Sequence, residues 1–432
     1  MTPTFAAQKP IRFDPLRRAA EKGLAASIET LALHLEAEEL RRGLRSRDRR
    51  EKDHRNFRLA VEALSCNLLI TAMVALDATL SVPRGHGAMW GKGRYHNPVY
   101  GQHFLALLDL LNALGLTETV THGFRMSASW KRATTIRPTS HLAQYLPLGT
   151  IAWSAFRREQ EQEVIVLKPE RDSDSRVEPI AYTDTRKTKQ WRRQMQGINR
   201  WLAAAPIAVA DDARTGHLDR DGQPVDPHQR TLRRVFNNRD WEHGGRLFGA
   251  FWLNMERAER FRLIRIAGEP IANVDYMQLF PRLAYARAQA EQPVGDLYDV
   301  TGDGTCRDGW KQLTNALLFA TKPLRQWPRD THEFFPDGTT ARAAVEAVKR
   351  KHAPIAGWFE RGLGYRLMRI ESDMLVAVVT GLFKRGITAL PLHDAVLVAR
   401  SHAEAAREIM QTEFTRRTGS AGGIVKVELP PD

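Results

Sequence analysis

Residues 389–399 read ALPLHDAVLVA, two short apolar runs of β-forming residues broken by one polar pair, His393 and Asp394. Such a stretch reads as a hairpin with arms Ala389–Leu392 and Ala395–Val398, because the arms gain from burial and Asp favours the turn. A second apolar run, Ile271–Val274, ends in Asp275 and gives way to a helix-like run that continues to Ala286. Two strands that each end on one acid, set among helical segments, fit an α+β fold.

The length of 432 residues is enough for about two to three domains, each with a real core. Lys and Arg number 64 against 50 Asp and Glu, a net charge of +14. That excess favours a polyanionic partner, since Lys and Arg contacts to phosphate release counterions. Plain solubility charge, or a ribosomal or membrane-surface role, would leave the same mark. Cys66 and Cys306 are the only cysteines, which excludes a disulfide framework and a zinc quartet and fits a reducing cytoplasm. The first residues lack an apolar signal core, with Asp14, Arg17 and Arg18 arriving early. The longest apolar stretch, Cys66 to Leu76, is interrupted by Asn67 and Thr71. It is too short to span a bilayer and reads as a buried helix; no membrane partner is expected.

Residues 14–80 read as mainly helical, with Leu24, Ile28, Leu31 and Leu35 at helix spacing. The basic segment Arg41–Arg58 is either a solvated helix face or a surface that tracks a phosphate backbone. Further on, Phe104, Leu107, Leu108, Leu111 and Leu114 mark a helix face that Gly115 can close. LTETVTHGFRM then reads as two short strands about a turn at His122-Gly123, ahead of Lys131, Arg132 and Arg137. Helix, β-wing and basic residues resemble a winged-helix nucleic-acid module, a pattern other folds also produce. Val164–Leu167 reads as a strand, 168–180 as a charged linker, and 185–204 as a helix carrying Lys187, Lys189, Arg192 and Arg193. The loop 211–229 reads as a flexible connector, and its Asp219–Gly222 stretch lacks the carboxylate spacing and closing Glu of a calcium loop.

Four stretches after residue 240 follow in order: GGRLFGAFWLN (244–254), IANVDYMQLFPRLAYA (271–286), RDGWKQLTNALLFA (307–320) and ALPLHDAVLVA. In the third, Arg307, Lys311, Asn315 and Phe319 recur every fourth residue, on one helix face. Template-directed nucleotide addition is an in-line phosphoryl displacement that asks for little covalent chemistry from the protein. Two Mg2+ ions about 4 Å apart can stabilise the attacking and leaving oxygens. Hard cations take carboxylate oxygens, so Asp275 and Asp394 are the candidate catalytic and metal-holding acids. Arg307 and Lys311 suit an incoming triphosphate, and Phe319, two turns beyond Lys311, can stack on a nascent base pair. Asp296 and Tyr298 read as helix-start residues that could also support a nucleotide site.

In that order the stretches resemble the motifs of family A DNA polymerases, over about residues 240–400. DYMQLFPR (275–282) looks like motif A, which implies Asp275 as a metal ligand, Tyr276 lending its backbone carbonyl to the metal, and Arg282 at the family's arginine position, toward primer-template. Residues 307–320 look like motif B, which implies Arg307 and Lys311 as triphosphate ligands and Phe319 in the aromatic position. LHD (392–394) looks like motif C, with His393 near the primer terminus and Asp394 as second metal ligand. Gly245-Arg246-Leu247 resembles the family's GRL stretch, whose arginine reads the minor groove at the primer end. Glu371-Ser372-Asp373, followed by an apolar helix, resembles the approach to motif C.

There are departures. Ala395 stands where the family has an acid, and Phe280 stands where its DNA polymerases carry a glutamate that excludes the 2′-hydroxyl, so Phe280 would gate by shape. Motif B ends in Phe319-Ala320 rather than Tyr-Gly; a ring without a hydroxyl leaves ribose unrecognised, so dNTPs are expected over NTPs. The segment Pro323–Ser372 is short for fingers, and no proofreading-exonuclease carboxylate pattern precedes the motifs.

The resemblance implies a right-hand polymerase, with an antiparallel palm sheet, helical fingers and thumb, behind a mainly helical N-terminal region. The expected division is 1–150 for that region and its winged-helix-like module, 151–240 for a thumb-like or linker region, and 241–432 for palm and small fingers. The implied activity is that of a compact cytoplasmic DNA polymerase without proofreading, using two Mg2+ ions (Mn2+ as substitute), DNA primer-template and dNTPs. Alternatives are a primase or single-subunit RNA polymerase using NTPs, a non-catalytic DNA-binding replication factor with a decayed palm, which Ala395 favours, and a two-metal nuclease, which the Arg307–Lys311 helix disfavours.

Overall fold

The computed structural model describes residues 9–430 except 76, 90–92, 126–130, 162, 171–177 and 211–216. It is a mixed α+β structure with eleven α-helices among the described residues, organised around two hydrophobic cores.

The N-terminal core lies between three helices, Lys22–Arg41, Glu51–Val74 and Gln102–Ala113, and a four-stranded sheet. Leu24, Ile28, Leu31 and Leu35 are buried along the first helix as their spacing requires. The second helix is long and apolar enough to cross a membrane by length and composition alone, with mean hydropathy 1.5 over its most apolar 18 residues. Those residues are 67% buried within the protein, so burial in this core accounts for their character. The sheet runs Ile11–Arg12, Leu80–Val82, Thr134–Pro138, Thr117–Thr121. The two strands expected about His122-Gly123 do not pair with each other. Thr117–Thr121 pairs with Thr134–Pro138, and Phe124–Arg125 with Lys131–Arg132; residues 126–130 lie outside the described residues.

The basic segment Arg41–Arg58 turns back on the first helix. Arg41 and Arg42 pair with Glu38, Arg45 and Arg49 with Glu39, and Arg58 with Glu29 and Glu36. Much of the charge expected to face phosphate or solvent is therefore neutralised within the chain. Arg137, on strand Thr134–Pro138, is likewise held by Glu118.

The second core covers residues from Val164 to Val425. Its main sheet is antiparallel and six-stranded, in the order Ile207–Val209, Ile264–Ile266, Glu269–Met277, Ala395–Ala399, Ala389–Leu392, with Ile424–Glu428 also beside Glu269–Met277. Helices Leu363–Lys384 and Ala403–Thr418 pack against this sheet. Pro391 is tolerated because its strand is at the sheet edge, where a missing N–H costs no ladder bond, and its carbonyl accepts the buried Trp252 indole at 2.9 Å. A three-stranded sheet, Gly244–Phe248, Arg233–Phe236, Ile165–Leu167, is pinned to helix Leu363–Lys384 by Asp373, on which Arg234, Arg369 and Arg417 converge. Helix Arg186–Ala204 begins on a Thr185–Thr188 capping box. Of its cations, Lys187 pairs with Glu242, and Arg192 with Glu163 and Asp184, while Lys189 and Arg193 are exposed. The connector expected at 211–229 falls outside the described residues up to 216; beyond that it is a structured turn in which Asp219 Oδ1 accepts the Asp221 and Gln223 amides, both at 2.9 Å.

Candidate active site: a two-carboxylate cleft

Strand alternation decides what Glu269–Met277 shows to each side. Val274 and Tyr276 are buried, while Asn273, Asp275 and Met277 lie on the other face and line a cleft of about 650 Å³. Asp275 is paired across the ladder with Ala395, the residue after Asp394. The turn between the hairpin arms is only His393-Asp394, with His393 in the left-handed region (φ 57). The Tyr276 amide donates to the Asp394 carbonyl at 3.3 Å, tying the end of one strand to the turn of the other. Asp275 and Asp394, far apart in sequence, thus line one cleft, one from a strand and the other from the turn that leads into the neighbouring strand.

Burial disfavours the charged form of both acids, and each stands in the other's field. The Asp275 carboxyl is raised well above the usual carboxylate range by burial and then by Asp394; Lys311 pulls it back down. Asp394 is raised by burial, against the fields of Arg246 and Lys311. Asp275 Oδ1 is buried, with no hydrogen-bond partner among the described residues. Among the described residues no group of three or more His, Cys, Asp or Glu side chains could hold a metal, so two acids are all the side-chain carboxylate this cleft offers a cation in common.

Helix Arg307–Phe319 forms a second wall. Trp310, Leu313 and Leu317 are buried on its core side, leaving Arg307, Lys311, Asn315 and Phe319 on the cleft. Arg307 pairs with Asp296 and lies 5.8 Å from the Tyr298 ring centre. Tyr298 donates to Asn315 Oδ1 at 3.4 Å, and Asp296 accepts from Gln278 Nε2 at 2.6 Å, so residues 296–298 join this wall to the end of strand Glu269–Met277. Phe319 packs edge-on against Phe280 at 5.4 Å and Tyr365 at 5.3 Å. Arg246 enters from the smaller sheet, held bidentately by buried Glu371 at 2.9 and 3.0 Å, its guanidinium 5.4 Å from the Phe280 ring. Burial pushes the Glu371 carboxyl up to about 7, with Arg246 opposing.

Three sequence candidates are placed differently from the rest. Arg282 does not line the cleft: it is 5% exposed, and its guanidinium donates to the Met277 carbonyl, Gln278, Gln292 and the Gly422 carbonyl. A guanidinium serves backbone carbonyls as readily as phosphate, and sequence alone does not tell the two apart. Tyr276 turns its ring into the core, where its hydroxyl donates to the Met410 carbonyl at 2.6 Å, so only its main chain can serve the cleft. His393 lines a different, larger cavity of about 1260 Å³ between the two cores; burial lowers its pKa to about 4, and it is neutral near pH 7. Asp296 and Tyr298, expected as helix-start residues that could support a nucleotide site, hold Arg307 and Asn315, and Glu371, expected only as part of an approach segment, holds Arg246. Lys426, on the last strand and opposite Asp275, is a residue that sequence reasoning left unassigned. The alternation of IVKVE is visible in the sequence, but its pairing partner is not.

No protein-family model and no curated protein matches the chain. Among solved structures, the POL domain of Pol1 from M. smegmatis, in complex with DNA primer-template and dNTP, is similar at a TM-score of 0.31 and 13% identity. The match covers 56% of this chain and 51% of that one, so the chain spans about half of that structure's length. A likeness this slight carries no argument.

Proposed function

We propose that this chain is a template-dependent nucleotidyltransferase, a compact DNA polymerase without proofreading that adds dNTPs to a primer. The observation that carries this reading is the meeting of Asp275, on its strand, and Asp394, in the turn beside it, in a cleft walled by the helix that bears Arg307 and Lys311. On this reading the six-stranded sheet is a palm, helix Arg307–Phe319 belongs to small fingers, and the N-terminal part of the chain grips primer-template in a right-hand arrangement.

The donors fit a hard divalent cation: two carboxylates in one cleft, one of them with a buried oxygen that has no partner among the described residues. Asp275, Asp394 and the Tyr276 carbonyl would hold Mg2+, with Mn2+ as substitute. Bound there, the metal supplies electrostatic stabilisation of attacking and departing oxygens. Arg307 and Lys311 take the triphosphate oxygens and set the nucleotide's direction. Asp296 fixes the Arg307 fork, so little rotamer freedom remains to be lost on binding. Phe319 and Phe280 close over base and sugar, and Arg246, oriented by Glu371, faces the primer end. Against two hydrocarbon rings a ribose 2′-hydroxyl would lose water without gaining a partner, at about 1–3 kcal/mol, which supports dNTP over NTP.

Primer extension with Mg2+ tests the reading. Asp275→Ala and Asp394→Ala should each lose on the order of 10³-fold or more in rate while DNA binding is kept. Robust extension by either variant overturns it. Parallel assays with NTPs, and without primer, separate a DNA polymerase from a primase or RNA polymerase.

A further inference from the structure

The cleft contains a cation that none of the motif stretches supplies. Strand Ile424–Glu428 pairs antiparallel with Asn273–Met277, in a register that sets Lys426 opposite Asp275 and Glu428 opposite Asn273. Residues directly opposite in such a pair have Cβ atoms about 4.5–5.5 Å apart, on one face of the sheet. Val425, opposite Tyr276, is buried with it, and Lys426 lines the cleft with Asp275.

The charged groups of the cleft fall into two sets. Arg246 is held by Glu371, Arg307 by Asp296, and Arg257 by Glu428, two residues along from Lys426. Each of these cations has a carboxylate of its own. Lys311 and Lys426 have no hydrogen bond or ion pair among the described residues, and both act on the Asp275 carboxyl from a distance, one from the helix and one from the strand. Two carboxylates and two ammoniums therefore share the cleft without closing into pairs.

We propose that Lys426 is a phosphate-binding residue of this site, its ammonium receiving non-bridging oxygens of the incoming nucleotide's triphosphate and of the pyrophosphate it releases. The proposal rests on the polymerase reading above. A metal-bound triphosphate presents cations toward carboxylates and leaves further oxygens that need donors, and a compact, rotatable ammonium meets such oxygens without demanding planar geometry. Lys311 reaches them from the fingers helix. Lys426 reaches them from the palm, and because it belongs to the sheet it keeps its place however the helix moves. Backbone phosphate of primer-template is the other source of the same chemistry, and a simple neutralising role toward Asp275 is the alternative that involves no ligand.

Equilibrium binding to the full chain separates these. Wild type, Lys426→Ala and Lys426→Arg are compared for dATP and for pyrophosphate in the presence of Ca2+, for Ca2+ alone, and for primer-template DNA, with melting temperature as the folding control. Lys426→Ala should weaken dATP and pyrophosphate by about tenfold or more, the loss of one charge-assisted hydrogen bond. Lys426→Arg should recover much of that loss, with Ca2+ and DNA binding unchanged. Unaltered dATP binding by Lys426→Ala, in a wild type that binds dATP, overturns the role of Lys426 and spares the polymerase reading. A loss confined to DNA makes Lys426 a backbone contact, and a loss equal for Ca2+ alone makes it a charge neutraliser; either overturns the proposal. Failure of wild type to bind dATP or pyrophosphate overturns both.

Discussion

Asp275 is held by the fold in a place that resists its ionisation, and that has a consequence measurable without substrate. Its carboxyl keeps its proton more firmly in the folded chain than in the unfolded one, where its pKa is near 3.9. Folding therefore takes up a proton as pH climbs above about 4, and the stability this site contributes falls until the raised pKa is passed. Asp275→Asn removes that charge. In EDTA at pH 8 it should be more stable than wild type by on the order of 1–2 kcal/mol, the gap closing toward pH 4, as read from denaturant melts. Mg2+ should raise the wild-type melting temperature at pH 8 and do little for the variant; equal melts at every pH would refute the strained pair. Lys311→Ala should mainly raise the apparent KM for nucleotide in primer extension, and an unchanged KM would remove Lys311 from the triphosphate. At this scale the sequence was informative wherever a residue type has few uses in its setting. An acid at the end of an apolar strand was legible, and Asp275, Asp394, Arg307, Lys311, Phe319, Phe280 and Arg246 all line one cleft. Arg282 and His393 were not, because arginine and histidine satisfy carbonyls and fill cavities as well as they bind phosphate. Lys426 was invisible because its meaning depends on which strand lies beside it.

Helix Arg307–Phe319 shows what periodicity can and cannot reveal about an element. Its two faces follow from spacing, apolar inward and Arg307 to Phe319 outward. What aims Phe319 does not follow from spacing, because it comes from another helix. Gly364 sits under its ring so closely that an added Cβ would meet Phe319 Cγ and Cδ2 at 2.7 Å. Gly364→Ala must displace that ring or the helix that carries it. It should cost about 1–3 kcal/mol in stability and raise the KM for dNTPs, with weaker discrimination against NTPs, measured by melts and competitive incorporation. Gly381, on the same helix Leu363–Lys384, is the control: its added Cβ would meet only Ile409 at 3.6 Å. Gly381→Ala should be neutral or stabilise by up to about 1 kcal/mol, since alanine is the better helix former. Equal behaviour of the two variants would show that Phe319 is not held by this contact. The basic segment Arg41–Arg58 teaches the converse: its charge was obvious, and its partners, the glutamates of the preceding helix, could be found only once the two segments packed together.

The whole molecule depends on how its two cores are joined, and here charge rather than apolar area is conspicuous. Arg17, from the N-terminal unit, meets Asp226 at 3.1 Å with side chains 8% and 1% exposed. Around it Gln223 accepts the Arg12 amide at 2.7 Å and donates to the Pro10 carbonyl at 3.2 Å, and His228 Nε2 lies 3.1 Å from the Trp153 carbonyl. No local pattern announces this seam, since its partners lie in distant parts of the chain and each reads as an ordinary surface charge. The larger cavity, which His393 reaches from the hairpin Ala389–Ala399, opens along it, lined by Arg17 and Asp226. Asp226→Ala would leave the Arg17 guanidinium buried without its counter-charge, a loss of about 3–5 kcal/mol. Because that cost falls on the junction and not within either core, it should part the cores before either melts. Calorimetry should resolve two transitions where wild type gives one, and limited proteolysis should cut near residues 158–163, between the units. The double variant Arg17→Met/Asp226→Leu removes both charges while keeping the seam filled, and should recover much of the loss. A single cooperative transition at the wild-type temperature for Asp226→Ala would mean that the cores are held by their apolar contacts, and that this buried pair only sets their register.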